Sequence, residues 1–224
     1  MENIFCYYDK LAPDYDQSRF GNTYGQFLHH QEHRVLTRWL GHIPAAHTLD
    51  LACGTGRLLD FARTGLDKSP NMLQEARQKH PSKKLILGDA TKMPFPDNCF
   101  EAVFSFHFFM HLDRDYMGAV LTEVWRVLRP GGRFIVDVPS QKRRSLTGGH
   151  SHGGWHGSGA MDISEWVAEL DKKWQMVDRQ GILFLPVHRI PARWRATFLP
   201  FDNLLCHSFL KEYASYLVLC LVKK

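Results

Sequence analysis

Stretches with a helical repeat of apolar positions alternate along the chain with short, continuous apolar runs. Phe27, Val35, Leu36, Trp39 and Leu40 share one face at helical spacing and predict an amphipathic helix over Thr23–Leu40, stopped at Gly41. Residues 47–51 read as an apolar strand running into a glycine turn. A short helix is predicted over 58–62, a strand over Thr64–Asp67, and a helix over Pro70–Lys79, with Ser69 as its cap and proline at its first position. A strand over 84–88 follows, then one over 100–106 rich in aromatic and β-branched residues. A helix over 114–128 is capped by Asp113. Pro130-Gly131-Gly132 makes a turn into a strand over 133–138. Strands alternating with helices imply parallel strands joined by right-handed crossovers.

After Pro139 the pattern changes. Residues 148–159 are rich in glycine, histidine and serine, contain Trp155, and read as a mobile loop. A helix is predicted over 162–171, capped by Asp162. Strand-like runs cover 182–187 and 213–222. Between them, 189–210 reads as an irregular insert carrying Trp194, Phe198, Phe201 and Phe209, aromatics that either complete a pocket or join the core. The last run ends close to Lys224, so it is expected to be tied into the sheet.

At 224 residues the chain has room for one sizeable α/β domain. It divides into a helical cap (1–45), a core (46–139), and a region of substrate-side loops and final strands (140–224). Hydrophobic residues at 44% and charged residues at 23% fit an ordinary soluble protein. No apolar run reaches membrane-spanning length. Met1-Glu2-Asn3-Ile4-Phe5 lacks the basic and apolar regions of a signal peptide. The five cysteines have no paired spacing, which predicts reduced thiols, a cytoplasmic setting and no structural zinc. The net charge of +5 permits an anionic partner without demanding one. Basic residues gather at Lys142-Arg143-Arg144 and at Arg189, Arg193 and Arg195.

The chemistry concentrates around Asp50-Leu51-Ala52-Cys53-Gly54-Thr55-Gly56-Arg57. A strand that enters a turn with two glycines lets a ligand approach the backbone closely. A dinucleotide site would place a third glycine where Leu59 stands, and its acid about 20 residues on; Asp67 comes 13 residues after Gly54. Asp67, at a strand end, can accept hydrogen bonds from both ribose hydroxyls of a nucleoside. In Gly88-Asp89-Ala90, the Asp89 carboxylate suits an adenine amino group and the Ala90 N–H a ring nitrogen.

These stretches resemble class I S-adenosylmethionine-dependent methyltransferases of the methyltransferase domain 11 type, which include quinone and small-molecule methyltransferases. The likeness runs through Leu49 to Arg57, Gly65 to Leu73, Gly88 to Phe95 and Glu123 to Gly132, with Tyr7 to Asp16 also matching. It implies a Rossmann-like, seven-stranded, mostly parallel sheet with helices on both faces and an antiparallel last strand. It implies S-adenosyl-L-methionine as cofactor, met by Asp50, Ala52, Cys53, Gly54, Gly56, Asp67, Lys68, Met72, Asp89, Ala90, Ser105 and Phe106. It also implies an N-terminal segment folded over the cofactor, with Tyr15 and Arg19 meeting its carboxylate. Two departures stand out: Ala52 occupies the first glycine position, and only 11 positions separate Gly56 from Asp67.

For the methyl acceptor, His107 and His111 are candidate bases, since histidine exchanges protons near neutral pH. Spaced four apart, they would share one face of a helix. Trp155 and His156 are candidate acceptor contacts, and no metal is expected. The leading expectation is methyl transfer to O, N or S of a small molecule by a monomer or homodimer. A tRNA-modifying enzyme and a catalytically inactive cofactor-binding regulator are the alternatives; no separate RNA-binding domain is evident.

Overall fold

The computed structural model describes residues 2–146, 170 and 173–224. Strands β1 (Thr48–Leu51), β2 (Thr64–Asp67), β3 (Lys84–Leu87), β4 (Phe100–Ser105) and β5 (Leu128–Pro139) run parallel. Beyond β5, β6 (Trp174–Ile182) forms the edge and β7 (Tyr216–Lys223) inserts between them, antiparallel to both. The order is β3-β2-β1-β4-β5-β7-β6. This is the mostly parallel seven-stranded sheet expected from the sequence. Its order reverses at β1, and in such sheets ligands bind at the carboxyl ends of the strands beside the reversal.

The two faces of the sheet bury alternate residues. Leu49, Phe134, Val136 and Leu219 pack with Val120 and Val124 of helix α5 (Arg114–Val127, numbered in chain order with those below). Phe104, Ile135, Val218 and Cys220 pack with Val35, Leu36 and Trp39 of α3 (Thr23–Leu40). Two short helices, α1 (Glu2–Leu11) and α2 (Tyr15–Phe20), precede α3; α4 (Pro70–Lys79) follows β2, and α6 (Gln141–Leu146) follows β5. The predicted caps form: Ser69 accepts from the Met72 N–H at 3.0 Å, and Asp113 from the Tyr116 N–H at 2.9 Å. The five cysteines are free. Among the described residues no helix is long and apolar enough to cross a membrane.

Four local expectations are corrected. Residues 58–62 do not form a helix: β2 begins at Thr64, and the short span closes through i to i+3 bonds, with Phe61 N–H on Leu58 O and Ala62 N–H on Leu59 O. Lys83 Nζ also binds the carbonyls of Leu59 and Ala62. The Pro130-Gly131-Gly132 turn lies within β5: pairing jumps from Phe100–Leu128 to Ala102–Arg133, so four residues loop out of the ladder. The strand predicted over 182–187 instead ends at Ile182. Leu183 takes φ +56° and donates to Gln31 Oε1 at 3.0 Å, and Leu185 donates to Asp202 Oδ1 at 2.6 Å, so side chains take the N–H groups that a ladder would use. Residues 189–210 contain a regular helix, α7 (Ala192–His207), despite Pro200 within it. Gln31 Nε2 of α3 donates to Asp202 at 2.7 Å and to Asn203 at 3.0 Å, and these buried tertiary bonds hold a helix that local propensity disfavours. The predicted loop over 148–159 lies outside the described residues, as does almost all of the helix predicted over 162–171.

Candidate active site

At the end of β1 the backbone enters the left-handed region three times, at Ala52 (φ +59°), Gly54 (+53°) and Gly56 (+82°). For Ala52 this conformation costs about 1–2 kcal/mol. The Gly54 N–H donates to Asp67 Oδ2 and the Ser69 N–H to Asp67 Oδ1, both at 2.8 Å. Asp67 thus bridges the glycine turn and the start of α4. Burial raises its carboxyl against these bonds. Cys53 lies beneath, where a Cβ on Gly65 would stand 2.8 Å from its Sγ. Asp50 is buried behind the turn, and burial pushes its carboxyl up to about 8.

A Cβ on Gly56 would lie 2.7 Å from Leu59 Cδ1 and 3.0 Å from His80 Cδ2. Gly56→Ala combines this crowding with left-handed strain. It is expected to lower stability by about 2–4 kcal/mol, read from the midpoint of urea unfolding. An unchanged midpoint would show that the turn relaxes freely.

The turn borders a cavity of about 570 Å3, within the range of small-ligand sites. Tyr15, Ala52, Gly54, Asp67, Lys68, Met72, Ala90, Phe106, His107 and His111 line it. Other candidates stand back from it. Arg19 Nη2 donates to the Tyr7 hydroxyl at 3.0 Å. Ser105 is fully buried. Asp50, Cys53 and Gly56 support the turn from behind. Asp89 is occupied: its Oδ1 accepts from Thr91 N–H, Thr91 Oγ1 and the Tyr116 hydroxyl, and its Oδ2 from Lys68 Nζ. Burial opposes its ionisation, but these donors prevail and hold the carboxyl well below its ordinary range. Trp155 and His156 lie outside the described residues.

Phe108 also lines the cavity, within the run Phe104 to Met110 expected to supply an apolar wall, and so do Ile4, Phe5, Tyr8 and Tyr116, none of which was a candidate. Ile4, Phe5 and Tyr8 share a face of α1 through their spacing, which is the signal that reveals them. Asp9 Oδ1 accepts from Ser69 Oγ at 2.5 Å and Asp9 Oδ2 from Asn71 Nδ2 at 2.9 Å, which ties α1 to the start of α4. Asp16 accepts from Thr55 Oγ1 at 2.6 Å and also pairs with Lys79. Two aspartates therefore fasten the N-terminal segment over the cavity.

The two candidate histidines differ in their surroundings. The helix that would align them is absent, since His107 takes φ +58° and only Phe109–His111 form a 3-10 turn. The His107 N–H donates to Asp137 Oδ1 at 2.7 Å. Its ring lies between Glu32 Oε1, 2.5 Å from Nε2, and Asp137 Oδ2, 3.4 Å from Nδ1. Burial lowers its pKa, but Glu32 and Asp137 outweigh burial and raise it. Arg57 Nη1 completes the cluster, 2.5 Å from Glu32 Oε2, with its guanidinium 3.9 Å from the Phe20 ring centroid. His107 is thus held between two acidic side chains that favour its protonated form, while burial pushes the Asp137 carboxyl itself up to about 6. His111 Nε2 instead lies 3.1 Å from the Tyr8 hydroxyl. Among the described residues no group of three His, Cys, Asp or Glu side chains is placed to hold a metal ion.

Residues 49–136 match a family model described as a methyltransferase domain. A demethylmenaquinone methyltransferase of Symbiobacterium thermophilum is 37% identical over 143 residues, covering 57% of this chain and 55% of the relative. A ubiquinone/menaquinone biosynthesis C-methyltransferase of Desulfotalea psychrophila is 36% identical over 138 residues, covering 57% and 54%. The chain spans little more than half the length of these curated relatives. A SAM-dependent methyltransferase of Thermotoga maritima shares the fold, at a TM-score of 0.73 and 17% identity over 100% of both chains. Over residues 49–136, the chain is similar to the methyltransferase domain family.

Proposed function

We propose that this chain transfers a methyl group from S-adenosylmethionine to a small, largely apolar aromatic acceptor. One observation carries the reading. A single cavity joins the positive-φ turn at Ala52 and Gly54, with Asp67 beside it, to an apolar wall of Phe106 and Phe108 that ends at His111. The residues present fit the cofactor. The turn offers a backbone with no side chain at Gly54, where an added Cβ would find only Met72 Sδ, at 3.9 Å. Each Asp67 oxygen takes one backbone N–H and keeps a lone pair for a ribose hydroxyl. Ala90 and Tyr116 border the same cavity on the adenine side, with Tyr116 held by Asp89.

When bound, the cofactor supplies an activated methyl group. The protein then has to orient the acceptor and exclude water, and orientation alone accounts for roughly 7–11 kcal/mol of barrier reduction in favourable cases. Phe5, Phe106 and Phe108 do both. His111, paired with Tyr8, takes the acceptor's proton, while His107, bonded to Glu32 and Asp137, fixes the end of β4 beneath it. The O, N or S acceptor expected from the sequence widens here to carbon, in keeping with the names of the relatives.

Isothermal titration with S-adenosylmethionine and with its demethylated product is expected to give one site per chain, with a Kd roughly in the micromolar to millimolar range typical of enzyme substrates. Absence of binding by both would overturn the proposal.

A further inference from the structure

Helix α7 has its polarity reversed for a surface helix. Helices on a protein surface bury an apolar stripe and expose polar residues. Here Asp202 and Asn203 are buried, bonded to Gln31 of α3. The outward face carries Trp194, Phe198, Phe201 and Leu204, exposed at 51%, 41%, 52% and 66%, with Phe209 just beyond the helix at 89%. Trp194, Phe198 and Phe201 recur at the i, i+4, i+7 spacing of a single helical stripe. A contiguous exposed patch of this kind marks a binding surface.

The charge around the patch narrows the partner. Between Asp178 and Glu212 the chain has one acidic residue, Asp202, and it is buried. The same stretch holds Arg189 and Arg193, both exposed, and Arg193 lies 5.9 Å from the Trp194 ring centroid. Aromatic and leucine side chains on one helical face, flanked by arginines and free of exposed acids, match the chemistry of an anionic lipid interface, where rings sink among headgroups and arginines meet phosphates. Helix α7 also contacts the start of α3, near α2 and His107. Arg195 Nη1 donates to Thr23 Oγ1 at 2.9 Å, and Phe20, three residues before Thr23, lies 6.5 Å from His107 between ring centroids.

We propose that the outward face of α7 docks the protein on an anionic lipid surface, with Trp194, Phe198, Phe201 and Leu204 inserted and Arg189 and Arg193 on the headgroups. The geometry of α7 carries this proposal, which stands whether or not the chain transfers methyl groups.

The full chain is to be co-sedimented with vesicles of phosphatidylcholine alone and of phosphatidylcholine mixed with phosphatidylglycerol. Binding is expected to the mixed vesicles and to fall steeply with salt. Arg189→Gln with Arg193→Gln is expected to lower the partition coefficient about thirtyfold. Trp194→Ser with Phe201→Ser is expected to abolish binding. All four positions are exposed, so these variants are expected to keep the wild-type melting temperature. The matched control, Arg77→Gln with Lys84→Gln, removes equal charge near the β3 edge, at the far side of the sheet from α7, and is expected to bind like wild type. Brominated lipid should quench wild-type tryptophan fluorescence more strongly than that of Trp194→Phe. Equal binding by wild type and the α7 variants would overturn the proposal. So would binding to tRNA with none to mixed vesicles, or a solution dimer that the aromatic substitutions dissociate.

Discussion

Glu32→Gln lowers the unfolding free energy by about 3 kcal/mol or more, the expected cost of removing one partner from a buried ion cluster. Glu32 is fully buried and faces Arg57 and His107, each 2.5 Å away. Burial raises its carboxyl, yet these partners outweigh burial and hold it down at about 2, against an ordinary 4.5. Glutamine keeps the shape and removes the charge. Arg57 and His107, their side chains 14% and 18% exposed, both lose a charged partner, and His107 keeps Asp137. Urea unfolding measures the loss, and a change below about 1 kcal/mol would show that the cluster behaves as a solvated surface pair. A second readout separates charge from packing. With Glu32 gone, the largest influence raising His107 is removed, so its imidazole titration by NMR shifts to lower pH.

The same substitution reshapes the pH dependence of stability. A carboxylate depressed on folding contributes stability above its unfolded value, here 4.5, and loses that contribution as pH falls through its folded value of about 2. A histidine raised on folding contributes below its unfolded value of 6.5 and loses that contribution as pH rises through the raised value. In wild type the two contributions are jointly complete between these unfolded values. Glu32→Gln is expected to flatten both flanks, and an unchanged profile would place the pH dependence elsewhere in the protein.

The cluster also shows where sequence reasoning stops. The parallel core was legible because each element carries its own local signal: the buried run at Thr48–Leu51, the Ser69 and Asp113 caps, the proline opening α4. The glycine turn and Asp67 were legible because their spacing along the chain mirrors their contact in space. Glu32, Arg57, His107 and Asp137 lie on four separate elements. No local pattern links them, and His107 read alone suggests a free base. Helix α7 was misread for a related reason. Pro200 and the outward aromatics are local features that speak against an ordinary surface helix, while the bonds from Gln31 that hold it come from 171 and 172 positions away. The N-terminal lining was half legible: α1 reads as a helix, but its place over the cavity depends on Asp9 meeting Ser69 and Asn71.

On the proposed reading of the site, Asp67→Ala is expected to weaken binding of the demethylated cofactor by at least about a hundredfold, because hydrogen bonds to a charged acceptor contribute about 1.5–3 kcal/mol each and two ribose hydroxyls would lose theirs. The Gly54 and Ser69 N–H groups lose their shared acceptor as well. A stability loss of about 1–2 kcal/mol is therefore expected alongside the binding defect. A loosened turn would weaken binding without any contact to ribose, and a cycle separates these causes. A 2′-deoxy form of the ligand should bind wild type more weakly than the parent ligand does. If Asp67 holds the ribose, Asp67→Ala should bind the two forms about equally, because the hydroxyl no longer has its acceptor. If the deoxy form loses the same factor of affinity in both proteins, Asp67 shapes the glycine turn alone and the ribose is held elsewhere.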